Sequence, residues 1–265
     1  MSASSEVWPE ARISRTAIIG ERANIGTGAT IGAGSNIGSG ASIGHHASIG
    51  DGVSIGVGAS VGYFATIGDH TCVEDSASVG YRASVGYSVG IGEGANIGYR
   101  VSIGYGARIN AGANIGDGTS IGDHAGIGEG ARILEGASIG NGARVGAGAS
   151  IGARASIGAD ATIGDGATIG DGTSIGDGAS IRSDDWFYVL AFRDVWATTV
   201  YDPKQGLRWW VDGQEGITTD VLMERVRQEY GGTQEEADYL HAIRMVTESP
   251  GLARAKRRHM ATDAM

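Results

Sequence analysis

Residues 163–180 read IGDGATIGDGTSIGDGAS, and this stretch decides the fold. Its six-residue unit opens on Ile163, Ile169 and Ile175, and the same beat holds throughout the first two thirds of the chain. Every sixth residue from Ile13 to Ile181 is Ile or Val, at 29 positions with no insertion. Such a period suits neither a helix nor a flat sheet alone. Within each unit a small residue, a polar residue, Ile and Gly alternate inward and outward, as in a short strand. The two remaining residues must turn a corner. Three units close a triangular coil, and coils stacked at about 4.8 Å give a solenoid roughly 45 Å long. Its core is the Ile/Val ladder, each buried side chain contributing about 1.5–3 kcal/mol.

Composition excludes several alternatives. The 265 residues include 48 Gly but only 3 Pro, and Gly keeps no three-residue period, so the chain is not collagen. A hydrophobic content of 41% can build a core, which argues against disorder. The net charge of −10 argues against general nucleic-acid binding. The single cysteine, Cys72, excludes a disulfide framework and a cysteine-based zinc site. No apolar run is long enough to span a membrane, and MSASSEVWPEARIS has no apolar signal core. A soluble cytoplasmic protein is the expectation.

Because the register never slips, residues 18 apart stack one above another. The third residue of each hexad forms corner columns. The first corner runs Thr27, His45, Tyr63, Tyr81, Tyr99, Asp117, and the second runs Ala33, Asp51, Asp69, Tyr87, Tyr105, Asp123. The fourth residue is usually Gly, which suits a corner of positive φ. The exceptions at these two corners are His46, Phe64, Arg82, Arg100, Arg154, His70, Ser88, His124 and Asp160. Strain tolerated beside aromatics is a functional hint. Between the two corners lies a face of small hydroxyls, Thr30, Ser48, Thr66, Ser84, Ser102, Ser120, with Gly32, Gly50 and Gly68 beside it. This smooth face suggests self-association.

The uninterrupted hexads resemble the hexapeptide-repeat, left-handed parallel β-helix superfamily over residues 13–182. That resemblance implies the left-handed coil, an exception to right-handed crossovers. It also implies a homotrimer and, for most characterised members, acyl transfer. The expected architecture is an all-β solenoid, a left-handed parallel β-helix of about ten triangular coils, followed by a small α+β C-terminal domain.

Two functions follow. The first is non-enzymatic capture of a small anionic planar ligand of nucleotide type in clefts between subunits. Tyr63, Tyr81, Tyr99, Tyr87 and Tyr105, with Phe64, would stack the ligand, Arg82 and Arg100 would neutralise it, and His45, His46, Asp69 and His70 would orient polar groups. The alternative is an acyl-CoA-dependent O- or N-acetyltransferase with acetyl-CoA as co-substrate and His45, His46 or His70 as general base. No hexad is interrupted by the loop that usually closes over the substrate in family enzymes, and the C-terminal segment does not resemble their CoA region. The sequence reading therefore favours binding over catalysis. No cofactor is expected in the binding reading, and no metal, since His70 and His124 stand three coils apart.

The expected domains are an N-terminal cap over residues 1–12 around Trp8-Pro9, the β-helix over 13–182, an α+β cap over 183–250 and a basic tail over 251–265. In the third, residues 186–192, 195–201 and 207–211 read as strands and Asp184-Asp185-Trp186 as a plug. Helices are expected over about 219–230 and from Thr233, where Glu236 completes a capping box and Ala237, Leu240, Ile243 and Val246 face inward. Gly216-Ile217-Thr218-Thr219, the run from Val221 to Gly231, and Tyr239-Leu240-His241-Ala242-Ile243 resemble a short domain at the end of many phage and prophage proteins. That likeness implies a mobile-element origin and action in an infected bacterial host, and the Tyr/Arg corner adds sequestration of a host defence nucleotide as the expected binding role.

Overall fold

The structure, a computed structural model, describes residues 4–181, 187–192, 195–202, 206–211 and 214–248. The anticipated plug at 184–186, the turn at 203–205 and the basic tail lie outside the described residues.

Thirty two-residue strands, from β1 (Glu6–Val7) through β2 (Arg12–Ile13), β3 (Ile18–Ile19) and β4 (Asn24–Ile25) to β30 (Ser180–Ile181), follow one another at six-residue steps. They form three 10-stranded sheets, here sheets A, B and C, which begin with β1, β2 and β3. Each strand pairs in parallel with the strand one coil on; Ser60 lies beside Ser78 and Val61 beside Val79. Around a coil the order is sheet A, first corner, sheet B, second corner, sheet C, third corner. The architecture is a left-handed parallel β-helix with a small C-terminal domain.

The two-residue alternation explains the core. Ile and Val of each hexad point inward with the small fifth residue, and from Ala23 to Ile181 the aliphatic members of both sets are at most 3% exposed. Where the fifth residue carries a hydroxyl, a backbone carbonyl accepts from it: Ser35 Oγ donates to Gly50 O at 2.8 Å and Thr71 Oγ1 to Gly86 O at 2.9 Å. No buried hydroxyl of this pair is left unpaired, so the ladder tolerates them.

The corners are turns closed by a bond from the fifth residue to the second, as in Ala47 N to Gly44 O at 3.2 Å. A positive φ at the third turn position is the type II signature. All nine anticipated non-glycine residues occupy it, with φ between 53 and 57°, as does the unanticipated Ser76 at 58° on the third corner. Glu10 and Arg22 adopt it too. A left-handed conformation costs a non-glycine residue about 1–2 kcal/mol.

The glycines beside sheet B have a different cause from the smooth face inferred above. A Cβ on Gly68 would lie 2.7 Å from the carbonyl carbon of Gly86 and 2.7 Å from Tyr87 N, so the approach of the next coil demands Gly there.

A second ladder runs along the corners. The N–H of the third residue takes no part in the strand ladder, and the side chain directly one coil on accepts from it. Thr27 N donates to His45 Nδ1 at 2.9 Å, Asp51 N to Asp69 Oδ1 at 2.9 Å, and Tyr99 N to Asp117 Oδ1 at 2.8 Å. This is why the consensus unit carries Asp at its third position.

The solenoid starts earlier than its sequence period suggests, because β1 pairs with β4 and so belongs to the first coil. Trp8 does not lie across the open end: its indole Nε1 donates to Asn24 Oδ1 at 3.0 Å on the flank of the second coil.

Beyond the solenoid, β31 (Phe187–Phe192), β32 (Val195–Asp202), β33 (Gly206–Val211) and β34 (Gln214–Thr218) form an antiparallel sheet in sequence order. The last strand was not anticipated, since QEGIT is short and holds a glycine. Helices α1 (Thr219–Tyr230) and α2 (Gln234–Thr247) follow, and the latter has Thr233 as its N-cap, accepting from Glu236 N. Trp209, Leu222, Val226, Ile243 and Val246 make the small core. Ala237 is exposed and Ala242 is buried in its place. Strand β32 lies against β29 (Ser174–Ile175), so a partner strand meets the C-terminal end of sheet B.

Replacing Ile97, which is fully buried, by Ala should cost about 3 kcal/mol in denaturant unfolding. Ser76→Gly should instead stabilise the protein by about 1 kcal/mol by removing left-handed strain.

Candidate functional site

The corner columns place aromatic rings at the coil spacing, so each ring meets the next. On the first corner His45 meets Tyr63 edge-on at 4.8 Å and Tyr81 stacks on Tyr99 at 5.4 Å and 6°. In the adjacent column His46 stacks on Phe64 at 5.2 Å. The Arg82 guanidinium lies 5.1 Å from the Tyr81 ring centre and 5.9 Å from that of Phe64, while Arg100 lies 4.8 Å from Tyr99. On the second corner Tyr87 stacks on Tyr105 at 4.2 Å, and Tyr105 meets His124 edge-on.

The fold therefore joins His46, Phe64, Tyr81, Arg82, Tyr99 and Arg100 into one ladder, with His45 and Tyr63 paired beside it on the same corner. Asp69, His70, Tyr87 and Tyr105 stand on the other side of sheet B, on the second corner. The rings of this ladder lie 5.2–5.9 Å apart centre to centre, and a planar group inserted between stacked rings would need about twice a single ring thickness. The rings satisfy one another, and the arginines satisfy the rings through cation–π contact.

The polar members divide by what they hold. His45 Nδ1 accepts from Thr27 N, so the neutral imidazole carries its proton on Nε2 and is a donor outward. Asp69 Oδ1 caps Asp51 N in the same way. Both are corner caps. The imidazoles of His46, His70 and His124 fold back over Gly28, Gly52 and Gly106, each one coil earlier, where a side chain would collide with the ring.

His46 borders an open recess of about 540 Å³, lined also by Glu10, Ala11, Arg12, Gly28 and Thr30. The His46 ring lies over Gly28, whose lack of a side chain makes room for it. Glu10, Arg12, Thr30 and His46 thus border one open hollow at the N-terminal end of sheet B. The sequence reading missed Glu10 and Arg12. Its available signal was that Glu10 stands at the fourth hexad position, 18 residues before Gly28 and two coils before His46. A smaller hollow of about 290 Å³ on sheet C is lined by Cys72, Glu74, Asp75 and Glu93. Partial burial, with Glu74 beside it, raises the Cys72 thiol above its usual pKa. Among the described residues, no three His, Cys, Asp or Glu side chains are grouped to hold a metal ion, and no helix is long and apolar enough to cross a membrane.

Geometry alone defines a hexapeptide β-helix, and comparison with known proteins agrees. The family "Bacterial transferase hexapeptide (six repeats)" matches residues 118–153 and 148–183. Residues 118–183 carry the repeat of that family, and the three-sheeted solenoid is consistent with its left-handed β-helix. Among curated proteins none matches the sequence.

Similar solved structures include a UDP-N-acetylglucosamine acyltransferase from Arabidopsis, with 15% identity, TM-score 0.45, and coverage of 92% of this chain and 98% of that one. Another, from Francisella novicida, has 23% identity and TM-score 0.32, covering 63% of this chain and 64% of the other. The acetyltransferase domain of PglB from Neisseria gonorrhoeae, in complex with acetyl coenzyme A, has 20% identity and TM-score 0.19, covering 50% and 52%.

These findings correct the expectation of a non-enzymatic nucleotide-sequestering protein. The repeats at 118–153 and 148–183 match a bacterial transferase family. The physical reason is that the tyrosine ladder is packed against itself, so its presence does not require a planar ligand.

If the rings hold one another, a double-mutant cycle of Tyr81→Ala with Tyr99→Ala should give a coupling of about 0.5–1.5 kcal/mol in unfolding free energy. Near neutral pH, Cys72 should react with a thiol reagent more slowly than a free cysteine, because a raised pKa leaves less thiolate, and Glu74→Gln should accelerate it.

Proposed function

We propose that the protein is an acyltransferase, moving an acyl group from a coenzyme A thioester to a hydroxyl or amine, with His46 as general base. The observation that carries this reading is the recess in which His46 stands with Glu10, Arg12 and Thr30. The transferase family of the repeats supports it. Of the three histidines anticipated as bases, His45 is engaged at Nδ1 by a backbone amide and caps a corner. His70 lies on the second corner, away from the recess.

The reaction needs little from the protein. The acceptor oxygen or nitrogen attacks the thioester carbonyl as His46 removes its proton. The tetrahedral intermediate collapses with loss of the C–S bond, and the proton passes to the departing thiolate to give free coenzyme A. The Arg12 guanidinium is placed to hold an anionic group of donor or acceptor.

The test is release of coenzyme A thiol from acetyl-CoA and longer acyl-CoAs with hydroxyl and amino-sugar acceptors, UDP-N-acetylglucosamine first among them. His46→Ala should lower kcat/KM by about 10²–10⁴, and Arg12→Ala should chiefly raise KM. His70→Ala should leave turnover unchanged. Turnover that survives His46→Ala, or that falls with His70→Ala instead, overturns the assignment.

A further inference from the structure

The two ends of the solenoid are not alike. Strand β32 runs against the last strand of sheet B at the C-terminal end, whereas at the N-terminal end β1, β2 and β3 are edge strands of all three sheets with no described element against their outer side. The amides of Glu6, Arg12 and Ile18 are spent on the second coil. Strand alternation aims the N–H and C=O of Val7, Ile13 and Ile19 the other way, out of the open end. Among the described residues nothing covers this triangle. Val7, an inward residue of the repeat, is 50% exposed, and Trp8 lies on the flank. Open β-edges with apolar residues behind them are templates for pairing.

We propose that the N-terminal ends of two copies of this chain dock head to head, each open edge pairing antiparallel with an edge of the other copy. The interface takes up Glu10 and Arg12, which also border the recess, so native mass and not turnover tests it. Its ground is the charge order around the first coil. Residues 4–22 carry three Glu and three Arg, net zero, while the whole chain carries −10, so this end can meet its copy without the repulsion of the body.

A two-fold axis across the ends can coincide with three lines of the triangle. Through sheet A it sets Glu6 against Glu6, and through sheet B it sets Arg12 against Arg12. Through the first corner and the middle of sheet C it pairs β1 with β2 of the second copy and β3 with β3. Glu6 then faces Arg12 of the second copy on both sides, and Arg15 faces the corner bearing Glu21. Cross-strand opposite charges favour the last arrangement.

The same axis accounts for Ile18, which is 66% exposed at a position where the repeat otherwise carries mostly Ser, Asn, Thr or Arg. It meets Ile18 of the second copy on the axis. Glu10 meets its own copy at the corner, the one like-charged contact of the arrangement. An interface of this kind is isologous and closes at two.

The test is native mass and light scattering of the full chain across a dilution series. An even number of chains is expected. Glu6→Arg should weaken the end-to-end association at least tenfold and halve the native mass, and Ile18→Asp should do the same. The exchange variant Glu6→Arg with Arg12→Glu should restore the wild-type mass, which a damaged fold could not do; the β-sheet circular dichroism and melting temperature of each variant check the fold. An odd number of chains, a mass unmoved by both single variants, or an exchange that fails to restore it overturns the proposal.

Discussion

The structure depends on one constraint, the hydrogen-bonded contact between each coil and the next at an offset of 18 residues. Strand amides, corner amides and the inward Ile/Val ladder all use the same offset. A one-residue slip in any hexad would turn its Ile outward and misplace every corner beyond it. Nothing in the chain but periodicity supplies this contact, since the core holds no large aromatic residue within the solenoid.

That constraint also shapes what the surface can do. Any side chain at a corner meets its equivalent one coil on. Identical or compatible residues therefore form ladders, whether Asp accepting the amide before it, Tyr on Tyr, or Arg over Tyr. Such ladders look like recognition surfaces in the sequence because they gather aromatics and cations. In the fold they are largely self-satisfied. A functional hollow needs a break in the ladder, and the glycine at position 28 between Glu10 and His46 is one.

The solenoid was legible at the level of single residues. Nine left-handed non-glycine corners follow from hexad position alone, as do the inward Ile and Val. The boundaries of α1 follow from its capping and glycine signals, whereas Ala237 was misplaced because a helix periodicity does not say which edge of the apolar stripe the sheet covers. The candidate site was half legible. His46 stands out as a bulky residue in a glycine position, but Glu10 and Arg12 precede the first Ile of the unbroken ladder, so their places show only when the 18-residue offset is carried back from Gly28 and Thr30.

The sequence by itself determined the coil, its corners and which residues share a column, because a six-residue period admits a single stacking register. Only the tertiary structure decided what each column does. Whether a histidine caps an amide like His45 or borders a hollow like His46, and whether tyrosines wait for a ligand or pack on one another, depends on distances along the solenoid axis that side-chain type does not encode.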